Sequence, residues 1–127
     1  MAIGQIQTDA APTAIGPYSQ AIKAGDYVFF SGQIPLTAEG ELVTGSIEAQ
    51  TQQVMINMQA VLVAAGLDFH DIVKTTIYLT DLNDFDVVNA MYGDCFVDPA
   101  PARACVQVAA LPKGVAIEIE WVAYSGR

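Results

Sequence analysis

Residues 115–124, which read VAIEIEWVAY, decide the fold class of this chain. The odd-numbered positions are apolar throughout, whereas the even-numbered positions include two glutamates and a tyrosine. Successive side chains of a strand point to opposite faces, so the pattern predicts a strand with one buried face and one semi-polar face. The semi-polar face is not a solvent face, and identical subunits that packed their sheets together would cover it.

Helices and strands alternate along the rest of the chain. The elements predicted from apolar spacing, caps and turn residues are a hairpin (Ser19–Ala24 and Tyr27–Ser31), a helix (Ser46–Ala65), a strand (Ile72–Leu79), a second helix (Phe85 to Phe96, with helix-start residues at Asp81 to Asp84) and a strand (Arg103–Ala110). With the last strand, the order is β-β-α-β-α-β-β. This order predicts an α+β fold class, in which one sheet carries two helices on one face.

The composition predicts a single domain, residues 1–127, that associates with copies of itself. The chain is 53% hydrophobic and 15% charged, which is more apolar surface than a small monomer can easily bury. The net charge of −9 disfavours nucleic acid and anionic membranes as partners, because both attract clustered lysine and arginine. No apolar run reaches the roughly 20 residues of a membrane helix, and Met1 to Gln5 has no signal-peptide pattern. Cys95, Cys105 and the single His70 have no metal-ligand spacing, which predicts free thiols, a cytoplasmic location and no metal site.

Arg103 is the one arginine inside the chain, because Arg127 is the last residue. It follows two prolines and begins an apolar strand, in a chain with 5 basic residues against 14 acidic ones. A guanidinium is a planar fork of donors that matches a carboxylate or a phosphate. The position is consistent with a clamp for a small anionic substrate and also with a surface arginine paired with one of the many acids.

Alternation groups the candidate side chains by face. A helix is expected on the small apolar side of the Arg103 strand, where Ala104 lies, so Arg103 and Cys105 are expected on the face left for the interface. Glu118 and Glu120 also share a face. If that is the Arg103 face, one glutamate could activate a water near the guanidinium or form a buried ion pair with it.

Other candidates have an ordinary structural interpretation beside the functional one. Cys105 could be a nucleophile, but the only histidine available as a base is His70, so an inert and partly buried thiol is preferred. Tyr18, Ser31-Gly32 and Asn89 could face a ligand. In the ordinary interpretation, Tyr18 is a packing residue, Ser31-Gly32 ends a strand, and Asn89 is solvated.

Eight short motifs occur in order along nearly the whole chain. They are AIGPYSQ (residues 14–20), SGQIP (31–35), AAG (64–66), DIVKTT (71–76), DF (84–85), VN (88–89), PAR (101–103) and IEIE (117–120). Together they resemble the Rid (YjgF-type) family, specifically its enamine/imine deaminase branch. The resemblance implies a chorismate-mutase-like fold and a homotrimer, with an inner barrel made from three sheets and active sites in the three clefts between subunits.

The resemblance also implies roles for individual residues. Arg103 would bind the substrate carboxylate, and Glu118 would position or activate the hydrolytic water. The implied substrate-binding residues are Tyr18, Ser31, Gly32, Asn89, Arg103, Ala104 and Cys105, the last through its backbone. Ala104 and Gln107 replace the serine and glutamate of some relatives, and neither side chain is an expected catalytic group.

The implied reaction is the hydrolysis of 2-aminoacrylate-type enamines and their 2-imino acid tautomers to 2-keto acids and ammonia, without a metal or cofactor. Holding the carboxylate would fix the imine carbon opposite a positioned water. The main alternative is a non-catalytic trimer that binds small carboxylates, such as 2-keto acids, through the same Arg103. An RNA-cleaving or chaperone-like protein is a further alternative, and the charge of −9 disfavours its RNA version.

Overall fold

The computed structural model describes residues 3–127. The strands are β1 (Ile3–Ile6), β2 (Ala21–Ala24), β3 (Tyr27–Gln33), β4 (Ile72–Leu79), β5 (Ala102–Gln107) and β6 (Ile117–Tyr124), and the helices are α1 (Ile47–Ala64) and α2 (Phe85–Gly93). Short 3-10 helices lie at Phe69–Asp71, Leu82–Asp84 and Pro112–Gly114. Met1 and Ala2 lie outside the described residues. Both belong to the segment Met1 to Gln5, for which no signal peptide is predicted.

The strands form one six-stranded mixed sheet in the order β1-β2-β3-β6-β4-β5. Neighbouring strands are antiparallel except β4 and β5, which are parallel and joined through α2. α1 packs against α2, β6 and β3 on one side of this sheet. The predicted α+β class, with two helices on one face, is therefore confirmed. No helix within residues 3–127 is both long and apolar enough to span a membrane.

The hydrophobic core lies between the helices and the sheet. The odd-numbered residues from Val115 to Ala123 are at most 3% exposed, and they pack under α1 residues such as Val54 and Met58, which are fully buried. Each such side chain contributes about 1.5–3 kcal/mol when it is removed from water. The two-faced strand predicted from VAIEIEWVAY is confirmed.

The limits of α1 follow from its end residues. Ser46 Oγ accepts a hydrogen bond of 3.1 Å from the backbone N–H of Ala49, which satisfies a donor that has no partner inside the helix. Gly66 has a φ of +75° and ends the helix, and the next residue, Leu67, donates from its backbone N–H to the Leu62 carbonyl at 2.9 Å. The predicted helix is confirmed with one residue fewer at each end.

The predicted order lacked the strand β1, so the observed order is β-β-β-α-β-α-β-β. Residues Ile3 to Ile6 form a four-residue edge strand that is mostly exposed and pairs only with β2. Backbone pairing rather than an apolar pattern holds such a strand, and Gly4 weakens its sequence signal further.

Element ends differ from prediction by up to about three residues, as in β2, β3, β5, β6 and α2, and one side chain of β4 lies on an unexpected face. α2 ends at Gly93 instead of Phe96, and the Phe96 ring packs against Tyr92 from beyond the helix end, with 4.6 Å between the ring centroids. Simple alternation along β4 places Val73 with the buried residues, yet Val73 is 40% exposed. A register shift between Ile72 and Lys74, where β4 meets β6, rotates Val73 out of the buried set.

The side of the sheet opposite the helices is uncovered in the single chain, and we call it the open face. The large apolar side chains exposed there are Ile3, Tyr27, Phe29 and Val106, at 59%, 46%, 50% and 41% exposure. The strand register shows which side chains share the open face. Phe29 pairs with Val122 of β6. Val106 pairs with Tyr78, which in turn pairs with Glu118. Exposed apolar side chains grouped on one face are typical of a protein interface.

Candidate active site

The residues expected to form the site are divided between two cavities. The first, which we call the Glu118 cavity, has a volume of about 530 Å³, and the second, the Arg103 groove, has a volume of about 520 Å³. The Glu118 cavity is lined by Ile15, Tyr18, Ser31, Gly32, Lys113 and Glu118, among others. The Arg103 groove is lined by Asn89, Tyr92, Gly93, Phe96, Pro101 and Arg103, among others. Each volume suits a small ligand.

The Glu118 cavity and the Arg103 groove open on opposite faces of the sheet. Arg103 pairs with Thr75 of β4, which is fully buried on the helix side. Glu118 pairs with Tyr78 of β4, on the open face. Strand β4 also lies between β5 and β6, which carry the two residues. Arg103 and Glu118 of one chain therefore do not meet.

This geometry corrects the prediction that Arg103 and Cys105 lie on the face left for the interface. The prediction expected a helix over the small side chains next to Arg103. Instead, α2 covers the Arg103 side, where Cys105 packs against the core. Ala104 lies on the open face, because it pairs with Thr76 and through it with Glu120. The condition that Glu118 shares the Arg103 face is therefore not met, and neither a shared water nor an ion pair between the two residues forms within one chain.

The wall of the Glu118 cavity is a loop that the side chain of Gln20 holds in place. Gln20 is 4% exposed, and its amide accepts from the backbone N–H of Thr8 at 2.7 Å and donates to the Pro12 carbonyl at 2.8 Å. These bonds join the start of β2 to the loop that carries Ile15 and Tyr18 into the cavity. A buried amide with satisfied donors and acceptors rigidifies the segment that it joins.

Glu118 is half-buried at the floor of its cavity. Burial raises the pKa of its carboxyl group, and the negative charge of Glu120 raises it further. Glu120 itself is exposed and accepts a hydrogen bond of 2.9 Å from the Tyr78 hydroxyl. The structure therefore places Glu118, and not Glu120, in the cavity. A carboxyl group with a raised pKa can exchange protons closer to neutral pH.

Ser31 and Tyr18 lie on the side of the cavity next to β3. The Ser31 hydroxyl donates to the Ser19 carbonyl at 2.6 Å, so its hydrogen is already engaged by the loop. The Tyr18 ring is 53% exposed, and its hydroxyl accepts from the backbone N–H of Ile15 at 3.4 Å. Both residues fall where the sequence predicted a cleft lining.

The Arg103 guanidinium is supported from α2. Its Nη1 donates to Asn89 Oδ1 at 2.6 Å. Its central carbon lies 5.1 Å from the centroid of the Tyr92 ring and 5.5 Å from that of the Phe85 ring, which is cation–π distance. Tyr92 is itself fixed by a 2.8 Å hydrogen bond between its hydroxyl and Thr75 Oγ1. The fork is therefore oriented by neutral groups.

No acid of the described chain forms an ion pair with Arg103, although Asp98 lines the same groove. Within residues 3–127, the ion pairs join Arg127 to Asp71 and His70 to Asp68. Asn89 is the one acceptor that these residues offer to the guanidinium, which has five N–H donors. The interpretation of Arg103 as a surface arginine paired with an acid is therefore wrong in this chain. The remaining donors can bind an external anion.

Cys105 and His70 do not form a catalytic pair. Burial raises the pKa of the Cys105 thiol, although the charge of Arg103 acts in the opposite direction. His70 is exposed after α1, and its Nδ1 lies 3.2 Å from Asp68 Oδ1. Neither Ala104 nor Cys105 lines the Glu118 cavity or the Arg103 groove. In the described part of the chain, no group of three or more His, Cys, Asp or Glu residues is arranged to hold a metal ion.

Sequence reasoning missed two residues that line these cavities. Lys113 lines the Glu118 cavity from a turn in which its φ is +59°, an unusual conformation for a residue other than glycine. The turn sequence Leu111-Pro112-Lys113-Gly114, shortly before Glu118, could have indicated it. Tyr92 lies within the second predicted helix, and the apolar spacing of that helix does not reveal its contact with Arg103.

Comparison with known proteins agrees with the family resemblance of the ordered motifs. Residues 8–125 match the family model described as Endoribonuclease L-PSP. The chain belongs to the Rid family. Its relatives include human 2-iminobutanoate/2-iminopropanoate deaminase, which is 50% identical over 122 residues, covering 95% of this chain and 89% of the human protein.

Other members of the Rid family carry less specific names. A RutC family protein of Pyrococcus horikoshii is 52% identical over 120 residues, covering 94% of this chain and 95% of that protein. The crystal structure of RidA from the Antarctic bacterium Psychrobacter sp. PAMC 21119 has a TM-score of 0.91 and 47% identity, covering 95% of this chain and 98% of that chain. The fold and the family are thus shown, although the members of the family carry different names.

Proposed function

We propose that this protein hydrolyses reactive 2-imino acids and their enamine tautomers, such as 2-iminopropionate and 2-aminoacrylate, to 2-keto acids and ammonia. The observation that carries the proposal is the Arg103 guanidinium, which α2 orients without neutralising it. The name of the human relative at 50% identity supports the same reaction class.

The proposed active site needs two subunits. Arg103 and Glu118 lie on opposite faces of one chain, so a site that uses both must take them from neighbouring chains. The apolar open face supports this arrangement, because contact with a second copy would cover Phe29 and Val106. We propose a homotrimer in which the Arg103 groove of one subunit meets the Glu118 cavity of the next, as the family resemblance implies.

The proposed mechanism divides the work between the two cavities. Arg103 holds the substrate carboxylate in a charge-assisted pair and thereby fixes the imine carbon. Glu118, in its ionised form, takes a proton from a water as that water adds to the imine carbon. The same carboxyl group returns this proton to the nitrogen, which gives a carbinolamine. It then relays the hydroxyl proton of the carbinolamine to the amine nitrogen, the carbon–nitrogen bond breaks as the carbonyl forms, and ammonia leaves the 2-keto acid. The side chains of the chain suffice for these proton transfers.

A coupled assay tests the reaction. An L-amino-acid oxidase generates the 2-imino acid in solution, and the rate at which the 2-keto acid appears is measured with and without the protein. We expect added protein to speed keto-acid release in proportion to its concentration. A protein that binds 2-keto acids but leaves this rate unchanged is the non-catalytic binder, and that result would overturn the proposal.

An RNA-cleaving activity is named in the description of the family model but has little support in this chain. The net charge is −9, and the 5 basic residues include Arg103, Lys113 and Arg127, which lie in different parts of the fold. Binding to RNA depends on clustered positive charge. We further propose a cytoplasmic location, which the free thiols Cys95 and Cys105 favour.

A further inference from the structure

Gly32 lies at an irregularity of β3 directly beside Glu118. Phe30 pairs with Trp121 and Gln33 pairs with Ile119, so β3 has one residue more than β6 between these two pairs. This bulge brings the backbone of Gly32 against the Glu118 side chain.

A side chain at position 32 would occupy the place of the Glu118 carboxyl group. A Cβ atom built on Gly32 overlaps Glu118 Oε2 and lies 2.9 Å from Cδ and 3.1 Å from Cγ of the same residue. Carbon atoms that are not bonded pack at about 3.5–4.0 Å. Glu118 can therefore keep its position only if residue 32 has no Cβ.

We propose that Gly32 is a positioning residue, whose missing side chain holds the Glu118 carboxylate at the place from which it activates water. The inference rests on the proposed function for its catalytic consequence. It assigns to Gly32 a role that differs from binding substrate through its backbone.

The backbone at this position makes the inference testable with a single methyl group. Gly32 is not among the glycines with a positive φ, so alanine can adopt its conformation without strain. The three atoms nearest to the added Cβ all belong to the flexible side chain of Glu118. Gly32→Ala should therefore leave folding and assembly intact and displace only the carboxylate.

The kinetic test compares Gly32→Ala with Gly4→Ala. Gly4 also lies in a strand without a positive φ, and its added Cβ meets nothing within 4 Å. We expect Gly32→Ala to lower kcat about 100-fold with little change in KM, because misplacement of a catalytic group by about 1 Å has this effect. Gly4→Ala should match the wild type. A rise in KM at normal kcat would mean that the methyl group meets the substrate and not Glu118, and it would overturn the inference.

A second substitution shows whether the effect passes through Glu118. In the Gly32→Ala background, Glu118→Gln should lower activity far less than it does in the wild type, because the carboxylate is already displaced. Losses that simply multiply would mean that the two residues act independently, which contradicts the inference.

A spectroscopic measurement separates this inference from the proposed reaction. The Glu118 carboxyl carbon is titrated by NMR in the wild type, Gly32→Ala and Gly4→Ala. Displacement toward solvent should lower the Glu118 pKa in Gly32→Ala only, since burial is the first cause of its raised value. An unchanged pKa in Gly32→Ala overturns the positioning role. A wild type without deaminase activity would instead remove the proposed function and leave this titration valid.

Discussion

The Arg103 groove and the Glu118 cavity have similar volumes but lie on opposite faces of the sheet, and each is lined by one basic and one acidic side chain, Arg103 and Asp98 in the groove and Lys113 and Glu118 in the cavity. The groove presents a cation on aromatic rings, with Asn89 as its neutral partner. The cavity presents a half-buried carboxyl group whose pKa is raised. The first can hold an anion, and the second can move a proton.

If Arg103 and Glu118 act together as proposed, this difference means that one chain contains both functional groups but cannot bring them into one site. A groove that holds the carboxylate cannot deliver a water from the other face of the same sheet. In the proposed site, neighbouring subunits therefore complete each other, and substitutions in the groove and in the cavity test the two halves separately.

The largest expected loss follows from Glu118→Gln. The amide keeps the shape of the side chain but cannot accept the proton of water, so kcat should fall about 100- to 10,000-fold. Binding of a 2-keto acid, measured by calorimetry, should remain or tighten, because one negative charge leaves the site. Turnover at the wild-type rate would mean that another group handles the water.

Arg103→Ala should lower kcat/KM almost as strongly. Loss of one partner from a desolvated charge pair costs about 2–5 kcal/mol, or roughly thirty- to several-thousand-fold in rate. Arg103→Lys should recover only part of the loss, since an ammonium lacks the planar fork. Circular dichroism and light scattering should show an unchanged fold and subunit mass.

Lys113→Ala is the matched control for Arg103→Ala, because Lys113 is the basic residue that lines the Glu118 cavity. We expect its effect on kcat/KM to be far smaller than that of Arg103→Ala. The opposite ranking would mean that the substrate carboxylate is held within one chain, which contradicts the division between the two cavities.

Glu120→Gln should shift the pH profile of kcat to lower pH, with little change in the maximal kcat. The charge of Glu120 is the second cause of the raised Glu118 pKa, so its removal lowers that pKa. Because the ionised Glu118 is the base, kcat falls as pH drops through the Glu118 pKa, and this acid limb should move to lower pH in the variant. An acid limb that does not move would assign the titration to another group.

Cys105→Ser should have the smallest effect. The thiol packs against the core with a raised pKa and has no base beside it, so turnover should stay within about twofold of the wild type. Steady-state kinetics on the folded variant measure this. Complete loss of turnover in a folded protein would restore the nucleophile interpretation.

The sequence predicted the parts of the fold in which local pattern and burial agree. Alternation in residues 115–124 predicted the faces of β6, and Ser46 and Gly66 predicted the ends of α1 within one residue. The edge strand β1 was not predicted, because backbone pairing with β2 holds it in place and no apolar pattern marks it in the sequence.

The candidate site was predicted residue by residue but not in its arrangement. β5 and β6 follow each other in the chain, yet β4 lies between them in the sheet, and no local pattern shows this insertion. The face of the sheet on which Arg103 lies is also not visible in its own strand, because it shows only in the tertiary contact with the Tyr92 ring of α2. Strand order and helix placement are properties of the whole fold, which explains the error over Arg103 and Glu118.

Mixed trimers test the central claim that Arg103 and Glu118 of different subunits form one site. Arg103→Ala and Glu118→Gln chains, each inactive alone, are co-expressed with different tags, and native mass spectrometry confirms that hybrids form. A site built from Arg103 of one subunit and Glu118 of the next is intact in about one quarter of the clefts of a random 1:1 mixture. We expect the whole mixture to recover about that share of wild-type turnover, because each hybrid trimer has one of its three clefts intact and the parental trimers have none. Hybrid trimers that remain as inactive as their parents would contradict the account.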